Sequence, residues 1–231
     1  MPITKKLAIV GRGKMGRAVD QLALQHGFDV VARVGHEPIT RQKLGGADVA
    51  IEFTTPEAAP VNLQALAALG VPAVTGTTGW LAELPQVTKV VEAVGSALVW
   101  SPNFSVGIAV FKRLASLAAE LLRKEEEYGA WAWEIHHDTK KDAPSGTLLQ
   151  LTQAMEQAGY TRRIDISSSR AGKHPGTHEI GFDSTADTII LRHTARSRDV
   201  FAHGALKAAR WILGRKGVYT FEDVLFGAQE K

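Results

Sequence analysis

A chain of 231 residues that is 45% hydrophobic and 22% charged has enough apolar material for one large or two small domains. Its net charge of +3, with basic residues scattered along the chain, excludes the dense basic patch of a nucleic-acid binder and leaves small anionic ligands open. The absence of cysteine removes disulfides, thiolate metal sites and thiol nucleophiles; with no run of roughly 18 apolar residues and no signal-peptide core, a cytoplasmic protein that meets neither membrane nor nucleic acid is expected.

The chain opens on "KLAIVG", a short apolar run ending at Gly11, followed by a helical pattern from Lys14 to His26 with Met15, Val19, Leu22 and Ala23 on one face. The cycle then repeats: strands at "FDVVARV" and "ADVAIEF", a helix at "EAAPVNLQALAALG", a strand at "VPAVTG", a helix at "AELPQVTKVVEAVG" and a strand at "ALVWS". Continuous Val/Ile/Ala strands separated by helices predict a doubly wound parallel sheet of the Rossmann type, covered on both faces. From Asn103 the pattern changes. "VGIAVFKRLASLAAELLRKEEE" reads as one long amphipathic helix, and "YGAWAWEIHH", "RIDISSSRAG", "THEIGFDS" and "DTIILRHTA" read as strands with a single helix among them, near Gly146 to Gln157. Strands without regular crossovers predict a second, α+β domain with a mixed or antiparallel sheet. The remainder, "FAHGALKAARWILG" and "TFEDVLFG", returns to helix.

Chemistry concentrates at the ends of these elements. "GRGKMG", the residues Gly11, Arg12, Gly13, Lys14, Met15 and Gly16, fits G-x-G-x-x-G between a strand and a helix, where free amides face a pyrophosphate. The acid expected about 20 residues on is absent at the end of the second strand. Arg33 stands there instead, and together with His36 it suits a 2′-phosphate, whereas Glu37 suits a ribose hydroxyl. "FTTPEA", including Phe53 and Thr54, and "TGTTGW" follow strands of the same sheet, so they either meet the nicotinamide half of a dinucleotide or cap the next helix. In "EIHHDTKKDAPSGTL", strand alternation sends His136 and His137 to opposite faces. Ser145, Gly146 and Thr147 open a helix beside Lys140 and Lys141, which makes a cradle for a carboxylate or phosphate with a histidine proton donor at its edge. A metal site would draw on His136, His137, Asp138 and Asp142, but no H-x-x-x-H pair supports it, and no G-x-S-x-G surrounds Ser145 as a hydrolase would require. No metal is expected.

The succession "GRGKMG", "FTTPEA", "GTTGW", "SPNFSVG", "EIHHDTKKDAPSGT", "SRAGKHPGTHEIGF" and "FAHGALKAARW" resembles the 4-hydroxy-tetrahydrodipicolinate (dihydrodipicolinate) reductase family of the diaminopimelate and lysine pathway, over almost the whole chain. The resemblance implies NADH or NADPH as cofactor, a small dicarboxylate as substrate and a homotetramer built through the second sheet. It implies His136 as proton donor with Lys140 as its catalytic partner, and His137, Gly146 and Thr147 as substrate-binding positions. Gly76, Thr77 and Thr78, with Ser101, Pro102, Asn103 and Phe104, would then lie near the nicotinamide. The expected division is a dinucleotide-binding domain at 1–104 and 204–231 and a substrate-binding, oligomerising domain at 105–203.

Overall fold

The computed structural model describes residues 4–227, which separate into two compact units, residues up to 105 together with those from 199 onward, and residues 106–198. The division expected from sequence has its cuts at 104/105 and 203/204. The second falls inside a helix that the structure begins at Asp199 and keeps whole.

In chain order the first unit runs β1 (Lys5–Val10), α1 (Lys14–Ala23), β2 (Phe28–Val34), β3 (Val49–Glu52), α2 (Ala59–Ala68), β4 (Ala73–Thr75), α3 (Leu84–Ala93) and β5 (Ala97–Trp100). The second consists of α4 (Val106–Leu122), β6 (Gly129–His136), α5 (Gly146–Gln157), β7 (Ile164–Arg170), β8 (Thr177–Asp183) and β9 (Thr188–Thr194). The chain returns to the first unit with α6 (Asp199–Ile212), β10 (Gly217–Thr220) and α7 (Phe221–Phe226).

The first sheet has the order β10-β5-β4-β3-β1-β2, with every pair parallel. Alternation along each strand divides its apolar residues between two cores. Leu7, Ile9, Val49, Ile51 and Val99 pack with α1 and α6, while Ala8, Val10, Ala50, Ala73 and Leu98 pack with α2 and α3. This is the Rossmann-type α/β architecture the strand pattern predicted. One element was missed: "GVYT" at residues 217–220 forms β10, an edge strand beside β5, in a tail read as helix alone.

The second unit's sheet is mixed, in the order β7-β6-β8-β9 with only β6 and β7 parallel. One face of it carries Ala130, Ala132, Ile180 and Phe182 against α4 and α5, where Phe111, Leu148 and Leu151 close the core. The opposite face carries Trp131, Trp133, Ile135 and Ile190, left half-buried or exposed within the single chain, beside an Arg192–Glu179 ion pair at 2.7 Å. Gly181 sits under Trp131, where a Cβ would run into the indole. Among the described residues no helix is long and apolar enough to cross a membrane.

Candidate active site

In the first unit the loop after β1 divides its work among three glycines. Gly11 has φ of 105° and a Cβ there would strike the Phe53 carbonyl; a Cβ at Gly16 would strike the carbonyl of Gly11, so Gly16 permits close packing of α1 on the strand. Gly13 is different. It caps α1 without a side-chain hydrogen bond, and a Cβ at Gly13 would meet nothing within 4 Å. The helix N-terminus is therefore open to solvent and its amides are free to meet an anion, which is what a pyrophosphate requires. A cleft of about 430 Å³ continues from it, lined by Gly13, Lys14 and Met15 on one side and by Phe53, Thr54 and Pro56 with Gly76, Thr77 and Thr78 on the other. Glycine at 76 makes room for the Phe53 ring, which a Cβ would displace.

Other sequence candidates stand outside that lining. Gly11, Arg12 and Gly16 shape the loop. Ser101, Pro102 and Asn103 form a turn after β5, with the Ser101 hydroxyl donating to the Asn103 carbonyl at 2.7 Å and Asn103 Oδ1 accepting from the Ser105 amide at 2.8 Å. Phe104 is a core residue whose ring is tilted against Phe221, centroids 4.9 Å apart. Arg33 pairs in register with Ile9, on the α1 face of the sheet, and both its Nε and Nη2 donate to the Asp20 carboxylate at 2.7 Å. A guanidinium held this way has its fork occupied. Arg33→Ala should therefore leave the ratio of kcat/KM for NADPH and NADH unchanged, and a ratio that falls severalfold in favour of NADH would return Arg33 to the 2′-phosphate. Arg12, whose stem approaches Gly35, and Glu37 are the charged groups gathered at that end of the sheet.

In the second unit the site grows out of one strand. Along β6 the inward face reads Ala130, Ala132, Glu134, His136, so the apolar stripe turns polar at the carboxyl end while remaining buried. Strand register then supplies the partners. Glu134 lies opposite His178 on β8 and Ser168 on β7, and His136 lies opposite Arg170. Glu134 Oε1 accepts from the Ser145 amide at 2.8 Å, the Ser168 hydroxyl at 3.0 Å and Arg170 Nη2 at 2.8 Å. Its Oε2 faces His136 Nδ1 at 3.3 Å and His178 Nε2 at 3.5 Å, both too long or too oblique for well-formed hydrogen bonds.

These contacts set the charges. Burial pushes the Glu134 carboxyl up, but the donors that face it, His178, Ser145 and Arg170, outweigh it and hold the group well below the usual carboxylate range. Burial pushes His136 down to about 4; the opposing pull of Glu134 is insufficient, and the neighbouring His178, Lys140 and Arg170 add to the depression. The site without ligand thus holds a neutral His136, not the protonated donor that an exposed histidine would give. Stability follows with a definite sign. An unfolded His136 takes up its proton near 6.5 and the folded one near 4, so stability is complete above pH 6.5 and falls by up to about 3 kcal/mol as the pH drops to 4. The thermal midpoint should decline over that window, and His136→Gln should remove most of the decline.

The loop after β6 takes the two histidines apart. His137 Nδ1 contacts the Thr139 hydroxyl at 2.8 Å and its Nε2 faces Arg198 at 3.1 Å. Lys140 donates to both Asp142 carboxylate oxygens, at 2.7 and 2.8 Å. That ammonium chiefly, with the amides of Asp142 and Gly146, holds the Asp142 carboxyl below its ordinary range. Ser145 turns inward: its hydroxyl caps α5 by accepting from the Leu148 amide at 3.2 Å, and its own amide is taken by Glu134. Gly146 and Thr147 remain at the surface of the helix start.

Three groups that lay outside the sequence reading complete the site: Glu134, Arg170 and His178. Glu134, His136 and His178 bring metal-type ligand atoms within 4.8 Å of one another, a trio different from the His136, His137, Asp138 and Asp142 set weighed from sequence. The Arg170 guanidinium already balances the Glu134 charge, and the histidines beside it feel a positive field that favours an anion over a cation.

Comparison with known proteins supplies the remaining findings. Residues 5–104 match the family described as "Dihydrodipicolinate reductase, N-terminus" and residues 107–225 match "Dihydrodipicolinate reductase, C-terminus". A protein of Christiangramia forsetii named 4-hydroxy-tetrahydrodipicolinate reductase is 33% identical over 232 residues, covering 95% of this chain and 97% of its own. One of the same name from Thiobacillus denitrificans is 39% identical over 203 residues, covering 79% and 74%. A dipicolinate-bound dihydrodipicolinate reductase from Paenisporosarcina sp. TG-14 superposes with a TM-score of 0.83 at 23% identity, covering 96% of this chain and 99% of that one.

Proposed function

The chain belongs to the dihydrodipicolinate reductase family, and from that membership we propose that it reduces 4-hydroxy-tetrahydrodipicolinate to tetrahydrodipicolinate at the expense of NADH or NADPH. It is an oxidoreductase of the diaminopimelate and lysine pathway. The open cleft of the first unit fits a dinucleotide, with Gly13, Lys14 and Met15 at its pyrophosphate and Phe53, Thr54, Gly76, Thr77 and Thr78 at its nicotinamide end. When bound, the nucleotide supplies a hydride to C4 of the ring, from which water has been lost.

The chain's own residues then have two tasks, holding a dianion and delivering a proton. Lys140, Gly146 and Thr147 hold one substrate carboxylate, which takes the place of Asp142 on the Lys140 ammonium and the Gly146 amide. His137 borders the same loop. Glu134 Oε2, 3.3 Å from His136 Nδ1, supplies the negative charge that favours a proton on that nitrogen, so that Nε2 presents its own proton to the electron-rich ring. Two substrate carboxylates cancel the positive field of Lys140 and Arg170 and so raise His136, which takes up its proton together with the ligand. The observation that carries this reading is the pairing of a buried histidine and its orienting carboxylate with a lysine and a helix start. Its test is loss of nicotinamide absorbance from NADH and from NADPH with freshly generated hydroxy-tetrahydrodipicolinate. Oxidation of neither nucleotide by the folded protein would refute it.

The uncovered face of the second sheet, with Trp131, Trp133, Ile135 and Ile190, supports assembly as a homotetramer. Light scattering at micromolar concentration should give four times the chain mass of 24.9 kDa; a monomer at that concentration refutes the assembly without touching the chemistry.

A further inference from the structure

Strand β3 reads Val49, Ala50, Ile51, Glu52, all fully buried, so an apolar strand ends in a carboxylate inside the protein. Glu52 pairs in register with Thr75 of β4. Its oxygens accept hydrogen bonds from the hydroxyls of Thr54, Thr75 and Thr77, the last at 2.9 Å. The net extends outward: Thr77 Oγ1 also accepts from the Thr54 amide at 2.8 Å, and the Glu52 carbonyl accepts from the Gly76 amide at 3.1 Å. The carboxylate therefore joins the loop after β3 to the loop after β4, the two that line the far side of the cleft. Among the described residues, no lysine, arginine or histidine forms an ion pair with it. Three neutral hydroxyls solvate a buried carboxylate but do not neutralise it, and a buried charge without a counter-ion is costly unless something else uses it.

Fold logic says what arrives there. A dinucleotide in an open α/β sheet lies across the carboxyl ends of the strands, its pyrophosphate at the β1–α1 loop and its two halves on either side. On the reading of the cleft given above, the nicotinamide half lies over β3 and β4. That ring is neutral when reduced and carries a positive charge once its hydride has left. We propose that Glu52 is a positioning residue for the nicotinamide: it ties together the two loops that hold the ring, and it supplies the buried negative charge that favours the oxidised, cationic ring over the reduced one. The charge acts through the threonine net and draws the bound nucleotide toward hydride donation, the direction the reduction requires.

The proposal rests on the dinucleotide reading, and binding measurements separate the two. Dissociation constants are compared for AMP, NADH, NAD⁺ and benzamide adenine dinucleotide, an isostere of NAD⁺ whose benzamide ring carries no charge. Wild type should bind NAD⁺ more tightly than the isostere by on the order of tenfold, the size expected of one charge acting over a few ångströms through hydrogen-bonded protein. Glu52→Gln should erase that preference and weaken NAD⁺ more than NADH, with AMP unchanged, while Glu52→Asp, which keeps the charge, should retain it. Should Glu52→Gln not fold, the comparison of NAD⁺ with its isostere on the wild-type chain decides alone. Equal affinity for NAD⁺ and isostere, or an equal loss of NAD⁺ and NADH affinity in the Gln and Asp variants, overturns the role of Glu52 and leaves the dinucleotide cleft standing. Failure to bind AMP, NADH or NAD⁺ at all overturns the cleft reading and this proposal with it.

Discussion

His136→Gln lowers kcat by ~10²–10⁴-fold, the usual contribution of a positioned general acid, and moves KM for the dicarboxylate little. The split follows from geometry. His136 is buried at the carboxyl end of β6, with the Glu134 Oε2 charge 3.3 Å from its Nδ1. The carboxylate anchor is separate, on Lys140 and the start of α5. Lys140→Ala removes a charge-assisted hydrogen bond to the substrate in ground and transition states alike, about 1.5–3 kcal/mol, and so raises KM first. Steady-state kinetics on variants with wild-type circular dichroism provide the check. If His137→Gln loses kcat and His136→Gln keeps it, the donor is on the other side of the strand end.

Glu134→Ala has the largest expected effect on stability. The substitution strips Arg170 of its carboxylate at 2.8 Å, leaves the Ser145 amide and Ser168 hydroxyl without an acceptor, and removes the carboxylate facing both His136 and His178. Breaking a buried ion pair from one side costs about 3–5 kcal/mol, a large part of the 5–15 kcal/mol by which domains are stable. A fall of about 10 °C in the thermal midpoint is expected, at 2–4 °C per kcal/mol for a chain of this size. Glu134→Gln separates orientation from stability. Its amide oxygen still accepts from Arg170, but its NH₂ now donates toward His136 Nδ1 and disfavours a proton there, so the doubly protonated imidazolium that delivers the Nε2 proton loses its stabilising charge. Calorimetry should place Glu134→Gln near wild type while kcat drops by at least tenfold; a Gln variant with full kcat would show that the carboxylate holds the sheet together and does nothing for the donor.

The alternation of buried strands and helices in residues 5–100 was legible because parallel strands covered on both faces leave unbroken apolar runs, and none of these was misplaced. Strand β10 was not. Four residues beginning with glycine, Gly217–Thr220, carry too little pattern, and their place at the sheet edge is decided by β5. The G-x-G-x-x-G loop and the strand-end threonines announced the cleft through local chemistry alone. Glu134, Arg170 and His178 did not announce themselves, because each becomes meaningful only through strand register, which joins residues 34 and 44 positions apart. Alternation within β2 held a usable signal: Arg33 lies on the same face of the sheet as α1, where Asp20 waits. Ser145 carried two signals, helix cap and ligand hydroxyl, and the cap claimed the side chain.

The first unit is not written continuously. Its sheet is completed by β10, and one of its two cores is filled by Ala202, Ala205, Leu206, Ala209 and Ile212 of α6, all encoded after the whole of the second unit. During synthesis the stretch 106–198 has every strand and helix of its own core available before α6 has left the ribosome, whereas Leu7, Ile9 and Val99 must wait with one face uncovered until some hundred residues later. The order of birth is thus inverted with respect to the order of completion, and a chain that ends near residue 198 holds all the strands and helices of the second unit but lacks the α6 and β10 that complete the first.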